Sequence, residues 1–505
     1  MEREIVVNAE FIYIPVKTGK EERWLEIYSQ DKKCFEFTVP WTKDGRYDYA
    51  ARVRLPENLG NKFILKGDFD EKFFELIQKL SCEEQPEEGL NPHFNDGDEI
   101  RPAIHFTAQY GWINDPNGLV FDGENYHLYF QHNPFNIKWN NMSWGHAVTK
   151  DFIHFNQKDD VLFPDENGTM FSGCGLMKDG KLLFPYTVAG DTSPWSKGKP
   201  FFQGLAVSED GGKTLKKATK PLLGPVGKDT RDPKIFWHEE SNSYIMILYL
   251  EGYDFGIFRS KDLESFEMTQ RFSLEPAWEC PDLLKIKCSD GTSKWMFISA
   301  DGFYYWGDFD GYKFTSDFVK HDAIIGGKHY ATQTYSGLKD RIVAVPWLRL
   351  EVGKYYRGVM GIPREYEGIK RDGDLYLVQK PVREIQELFE DIDEVPKSGP
   401  FSAYVKDFGS KIELKINGSI VMLDNDSHEI SVDGEKSSLP ISVSEINIIM
   451  DLNVLELALD NVILIGHKTL KCENELCINW RENGNTKGCG SQMRTDCHYS
   501  IKSIK

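Results

Sequence analysis

Residues 112–118 read Trp112-Ile113-Asn114-Asp115-Pro116-Asn117-Gly118. An apolar, aromatic approach precedes them (Ile104, Phe106, Tyr110). A strand-like run follows (Leu119, Val120, Phe121, then Tyr126, Leu128, Tyr129 and Phe130). Asp-Pro and Asn-Gly are turn dipeptides: proline presets φ, and glycine accepts φ > 0. The stretch therefore predicts one carboxylate, Asp115, where a chain leaving a β core bends sharply. A plain turn explains the same residues, so the choice depends on what recurs elsewhere.

Downstream, residues 99–390 are a long succession of short strands separated by Gly, Asp and Asn turns, as at 126–131, 182–186, 244–250, 295–299 and 342–345. Helical periodicity is absent. This pattern predicts a propeller or a large barrel, and no strict repeat fixes a blade number. Residues 391–470 alternate cleanly at 411–416, 420–423, 446–451 and 462–465, as a smaller β-sandwich would. Residues 471–505 are polar and hold Cys472, Cys477, Cys489 and Cys497. A zinc site and a loosely ordered tail both fit. The lack of a Cys-x-x-Cys pair favours the tail.

Upstream, residues 1–98 read as a β-rich accessory domain ending in an acidic linker from 83 to 98. Phe69, Phe73, Phe74, Ile77 and Leu80 recur at helical spacing, which predicts one amphipathic helix over 69–82.

Composition narrows the function classes. The 505 residues carry a net charge of −19 and no Lys/Arg cluster, which argues against a nucleic-acid partner. No stretch approaches the ~18 apolar residues of a membrane span. Met1-Glu2-Arg3-Glu4 lacks the basic start and apolar run of a signal peptide, so the expected location is cytoplasmic. Nine scattered cysteines suit reduced thiols. Aromatic residues make up 13%, fitting both β cores and surfaces that stack on sugars. The sequence sets no oligomeric state.

Two later acids repeat the pattern of Asp115. Asp232 lies in Thr230-Arg231-Asp232-Pro233-Lys234, before Ile235-Phe236-Trp237. Glu279 lies in Trp278-Glu279-Cys280-Pro281-Asp282, before Leu283-Leu284. Singly, each is equally a turn carboxylate or half of an ion pair. Together they are the residue types that glycoside hydrolysis needs: two carboxyl groups flanking one bond, and a third group gripping hydroxyls in the transition state.

WINDPNG (112–118), FSG (171–173), RDP (231–233) and WECPD (278–282) stand in the order and rough spacing of glycoside hydrolase family 32, the family of invertases, levanases, inulinases and sucrose-6-phosphate hydrolases. The chain resembles that family from about 101 to 382, and weakly through the sandwich. The resemblance implies an all-β fold: a five-bladed β-propeller catalytic domain, then a β-sandwich, with an extra N-terminal β-rich domain.

The resemblance also implies roles. Asp115 matches the nucleophile, Glu279 the acid/base and Asp232 the transition-state stabiliser. Arg231, Asn114, Gln131, Trp139, Phe171 and Ser172 match substrate contacts, and Trp112 a piece of pocket wall. Without the resemblance, Gln131 is a strand residue, Ser172 a turn, and Trp112, Trp139 and Phe171 plain core.

No metal and no cofactor are implied. The expected substrate is a fructose-containing sugar: sucrose, a fructo-oligosaccharide or a fructan. A sucrose-6-phosphate hydrolase, a fructosyltransferase and a non-catalytic sugar-binding propeller remain alternatives. A phosphate pocket would need cations on its rim, with Lys138 and Lys328 candidates by residue type alone. Trp278, Cys280, Pro281 and Leu283 are the apolar neighbours expected to wall Glu279, while Asn114 and turn amides are expected to hold Asp115 ionised. Ile113, where many relatives have Met, and Cys174 are mild departures.

Overall fold

The computed structural model describes residues 1–56, 60–83, 94, 100–371, 373–482, 485–488 and 498–504. Strands dominate, and the described helices are Glu71–Cys82 and Arg383–Leu388. Among the described residues, no helix is long and apolar enough to cross a membrane.

Between residues 111 and 381 five antiparallel sheets follow one another. Their first strands are Gly111–Phe121, Thr169–Gly173, Arg231–His238, Asp282–Lys287 and His329–Thr334. Gly111–Phe121 lies against both Thr169–Gly173 and His329–Thr334, and Thr169–Gly173 lies against Arg231–His238. The fourth and fifth sheets are tied by Ala331 N–H to Ala300 O at 3.0 Å. The first strands therefore gather around a common centre.

The series closes where Tyr356–Arg357 pairs in parallel with Gly111 and Trp112. Gly358 makes that join possible. Its φ is +85°, and a Cβ there would sit 2.2 Å from the Ile113 carbonyl oxygen.

Aromatic side chains fill the spaces between sheets, as with Tyr129, Trp144, Phe184 and Tyr186, or Tyr249, Phe255, Phe297 and Phe314. Much of the aromatic content is thus core.

The N-terminal strands form a four-stranded sheet and a two-stranded pair. The expected helix is Glu71–Cys82. Asp70 caps it, accepting from Phe73 N–H at 3.1 Å, and Phe73, Phe74, Ile77 and Leu80 face inward. This core continues into Tyr110, Phe135 and Phe163. Polar ties reinforce the junction: Thr38 N–H donates to Asn141 Oδ1 at 2.8 Å, and buried Arg52 meets Asp159 at 3.2 Å.

The C-terminal part is two six-stranded sheets around one aliphatic core. Here the expectation of a tail over 471–505 is corrected. Leu476–Glu482 pairs with Lys411–Ile416, and Asn485–Gly488 extends that sheet. His498–Ile504 pairs with both Phe389–Ile392 and Phe401–Lys406. Ile478 and Ile501 supply buried positions that polar neighbours and cysteines hide from a periodicity reading. Cys489 and Cys497 lie outside the described residues. Among those described, no His/Cys/Asp/Glu group is arranged to hold a metal.

Sandwich and sheets meet through buried ions. Glu456 on Val454–Leu459 accepts from Arg364 at 2.7 Å and from Ile362 N–H at 2.6 Å, and contacts His105 and His329 at 3.2 Å each. Asp451 takes His105 Nδ1 at 2.9 Å and the backbone N–H groups of residues 103–105.

Candidate active site

Each sheet's first strand, or the turn entering it, brings one piece to the centre. Asp115 lies inside Gly111–Phe121, so the predicted sharp turn is not formed. Asp-Pro and Asn-Gly are absorbed as two register shifts, at 113/116 and 117/120. Proline lacks a ladder donor and is tolerated where a bulge interrupts pairing, and the bulge re-aims the neighbouring carboxylate. Asp232-Pro233 repeats this within the shift between Arg231 and Lys234. Ser172 sits in the shift between Phe171 and Gly173. Glu279 precedes the fourth sheet. Asp232, Glu279 and Cys280 have φ of +63°, +52° and +37°, a strained region for non-glycine residues that the surrounding hydrogen bonds must hold.

These pieces line one cavity of about 290 Å³, at the small end of ligand pockets. Asn114, Asp115, Gln131, Trp139, Phe171, Ser172, Arg231, Asp232 and Glu279, all marked out in the sequence, face it. Trp112 does not. It stands one layer back, with its indole N–H donating to Asn114 Oδ1 at 2.9 Å and its ring 5.8 Å from that of Trp347. Its task is to orient Asn114.

Asp115 accepts from Ser172 Oγ at 2.5 Å on one oxygen and from Asn114 Nδ2 at 3.1 Å on the other. The Cys280 thiol lies 3.7 Å from Asp115 Oδ2 and 3.5 Å from Asp232 Oδ2, and Cys280 N–H donates to Asp232 at 3.1 Å. One sulfur thus bridges two of the acids. Arg231 joins the third: its Nη2 is 2.6 Å from Glu279 Oε1, and its Nε is 3.9 Å from Asp232. Tyr330 O–H donates to Glu279 Oε2 at 2.6 Å.

The expected apolar wall around Glu279 is therefore corrected to a guanidinium and a phenol. Trp278 is 46% exposed and donates to Tyr249 O–H, while Cys280 turns toward the other carboxyls.

Burial beside other carboxyls opposes ionisation of Asp115 and Asp232. Burial pushes Asp232 up to about 7; Arg231 opposes this, and the charges of Glu279 and Asp115 add to it. Burial also raises Asp115, aided by the charge of Glu279 and resisted by Ser172 and Asn114. The expected hydrogen-bond support for an ionised Asp115 is present but does not outweigh burial. The Cys280 thiol is driven well upward by burial and by the acids, so it stays a donor.

The sequence reading missed Tyr330, Trp347 and Arg349, all on the fifth sheet's edge of the cavity. Arg349 stacks 3.3 Å over the Tyr330 ring. Lys138 and Lys328 do not line it.

A ring of sheets with a carboxylate-floored pocket at its centre, followed by a sandwich, defines an all-β protein whose central cavity gathers three acids. The chain belongs to glycosyl hydrolase family 32: the model of that family's N-terminal domain matches residues 105–381.

Among curated relatives, a levanase of Bacillus subtilis (strain 168) is 30% identical over 331 residues, covering 57% of this chain and 48% of that protein. An invertase of Debaryomyces hansenii is 33% identical over 284 residues, covering 49% and 52%. The chain spans about half the length of these two relatives. Among solved structures, an exo-inulinase from Aspergillus awamori superposes with a TM-score of 0.69 at 23% identity, over 82% of this chain and 99% of that one. A family 32 protein from Bifidobacterium adolescentis superposes with a TM-score of 0.63 at 18% identity, over 100% and 99%.

Proposed function

We propose that the chain is a retaining β-fructofuranosidase on a five-bladed β-propeller, with an extra N-terminal domain, releasing terminal fructose from sucrose, fructo-oligosaccharides or fructans. One observation carries the proposal: Asp115, Asp232 and Glu279 face a single sugar-sized cavity, with one thiol touching two of them and Arg231 joining the third.

Asp115, fixed through both oxygens, attacks the anomeric carbon. Glu279 gives a proton to the leaving oxygen, then takes one from the water that frees fructose. Asp232 and Arg231 grip the ring hydroxyls. Retention wants nucleophile and acid only ~5–5.5 Å apart, and Asp115 and Glu279 line the same small cavity. The described cysteines are free thiols, which suits the reducing cytoplasm proposed as its location.

Incubation with sucrose, levan and inulin, with chromatography of the sugars and NMR of the first anomer formed, tests this. Fructose with retained configuration is expected. Inversion, or no cleavage of any of the three, overturns it.

Sucrose 6-phosphate is the second reading. Arg349 supports it, as an exposed cation on the cavity wall with no carboxylate within ion-pair distance among the described residues. Arg349→Met should then lower kcat/KM for sucrose 6-phosphate more than for sucrose.

A further inference from the structure

A second cavity, of about 440 Å³, lies between the fifth sheet and the sandwich. Its sandwich wall is one face of three adjacent strands. Lys502 stands opposite Ser402, Ser500 opposite Tyr404, and Tyr404 opposite Asn447 across the neighbouring ladder. The facing wall includes Arg364 and Lys380 from the Arg364–Arg371 and Asp374–Pro381 strands.

A sheet face turned toward another layer is normally apolar, because burying it is what joins the layers. Here the row is hydroxyl, amide and ammonium. Only Ile385, Phe389, Ile449 and small apolar neighbours give it a greasy floor. The charge is also one-sided. Three basic residues and no acidic residue line the cavity, in a chain with 79 Asp and Glu against 60 Lys and Arg. Arg364 is already committed to Glu456 at 2.7 Å. Lys502 has only a 3.6 Å approach to exposed Asp391, and Lys380 has no ion pair among the described residues.

We propose that this cavity binds a small phosphorylated polyol, of the size of a sugar phosphate. Its phosphate is held by the Lys380 and Lys502 ammonium groups and its hydroxyls by Ser402, Ser500 and Asn447. Charge-assisted hydrogen bonds to a dianion are the strong interactions, and flanking hydroxyls and amides supply polyol partners. The site is independent of the fructosidase reading. It is joined to the active site by contact: Arg364 holds Glu456, Glu456 meets His329, and the next residue, Tyr330, holds Glu279.

Isothermal titration of the full chain with glucose 6-phosphate, inorganic phosphate and glucose tests this. Saturable binding of glucose 6-phosphate is expected, with inorganic phosphate competing and rising salt weakening it. Glucose should bind about tenfold more weakly or worse, and the K380A/K502A variant should lose about tenfold in affinity. Asp115→Asn should bind as the parent does, which separates this cavity from the catalytic one. Absence of saturable binding at millimolar concentrations, equal affinity for glucose, or binding undiminished in K380A/K502A each overturns the proposal. Should that variant fail to fold, lysine acetylation followed by mass spectrometry decides. Glucose 6-phosphate must slow modification of Lys380 and Lys502, and unchanged rates overturn the site.

Discussion

The acids at the sandwich junction and the acids in the pocket are treated in opposite ways by this protein. At the sandwich junction, Glu456 is surrounded by Arg364, His105, His329 and a backbone N–H, and Asp451 by His105 and three backbone donors. Burial alone would favour their neutral forms, yet these partners hold both below the ordinary carboxylate range, and His105 is raised to about 9. In the pocket, three acids share one guanidinium, a phenol, a thiol, a hydroxyl, the Asn114 amide and the Cys280 backbone N–H, and Asp232 and Asp115 are pushed up. Surplus partners make a carboxylate structural. A deficit leaves one poised to exchange protons and meet a cationic transition state.

The largest effect should come from the poorly partnered group. Asp115→Asn and Glu279→Gln should each lower fructose release on the order of 10³-fold or more while circular dichroism and melting stay parental. Full turnover by either variant would remove that residue from its role.

Emptying the other group should do the reverse. Glu456→Ala leaves the Arg364 guanidinium buried without its anion, at a cost of about 3–5 kcal/mol. Denaturant titration should show it, and an unchanged midpoint would mean the junction is wet.

The parent's pH response is the next test. His105 is raised from 6.5 to about 9, so its contribution is complete below about 6.5 and fades as pH climbs through 9. Melting temperature should fall across that window, and Glu456→Gln should blunt the fall.

The smallest effect concerns Asp232. Its folded value of about 7 lies above its ordinary 3.8, so folding takes up a proton between those limits and stability declines as pH rises. Asp232→Asn, which cannot ionise, should melt about 2–4 °C higher than the parent at pH 8 and level with it near pH 4. No gain at pH 8 would show Arg231 fully compensating the charge.

Much of the pocket was legible because its residues come in short local runs, where proline follows or nearly follows an acid at 116, 233 and 281. Strained φ at Asp232 and Glu279 leaves no mark of its own, since neither is glycine. Tyr330, Trp347 and Arg349 were not legible. Tyr330 and Trp347 sit in His329–Thr334 and Val343–Leu348, which read as ordinary buried strands, Arg349 directly follows the second, and only closure of the sheets brings them to the cavity that holds Glu279. The strands after 471 were missed because charges and cysteines break their alternation. Glu456 left one visible sign, a lone acid in Val454-Leu455-Glu456-Leu457-Ala458-Leu459, which the alternation reading passed over.

The last sheet and the first are joined at two places, by the pairs Tyr356 with Gly111 and Arg357 with Trp112 near the pocket and by a single bridge between Val120 and Ser336 farther along the strand. The first join fastens three positions from Asp115, at the residue that aims Asn114. Short pairings open before long ladders do. Warming should therefore unhook the nucleophile while the sheets are still intact. Turnover should then fail several degrees ahead of the melt, and loss of activity that tracks the melt would show the join holding as long as the sheets do.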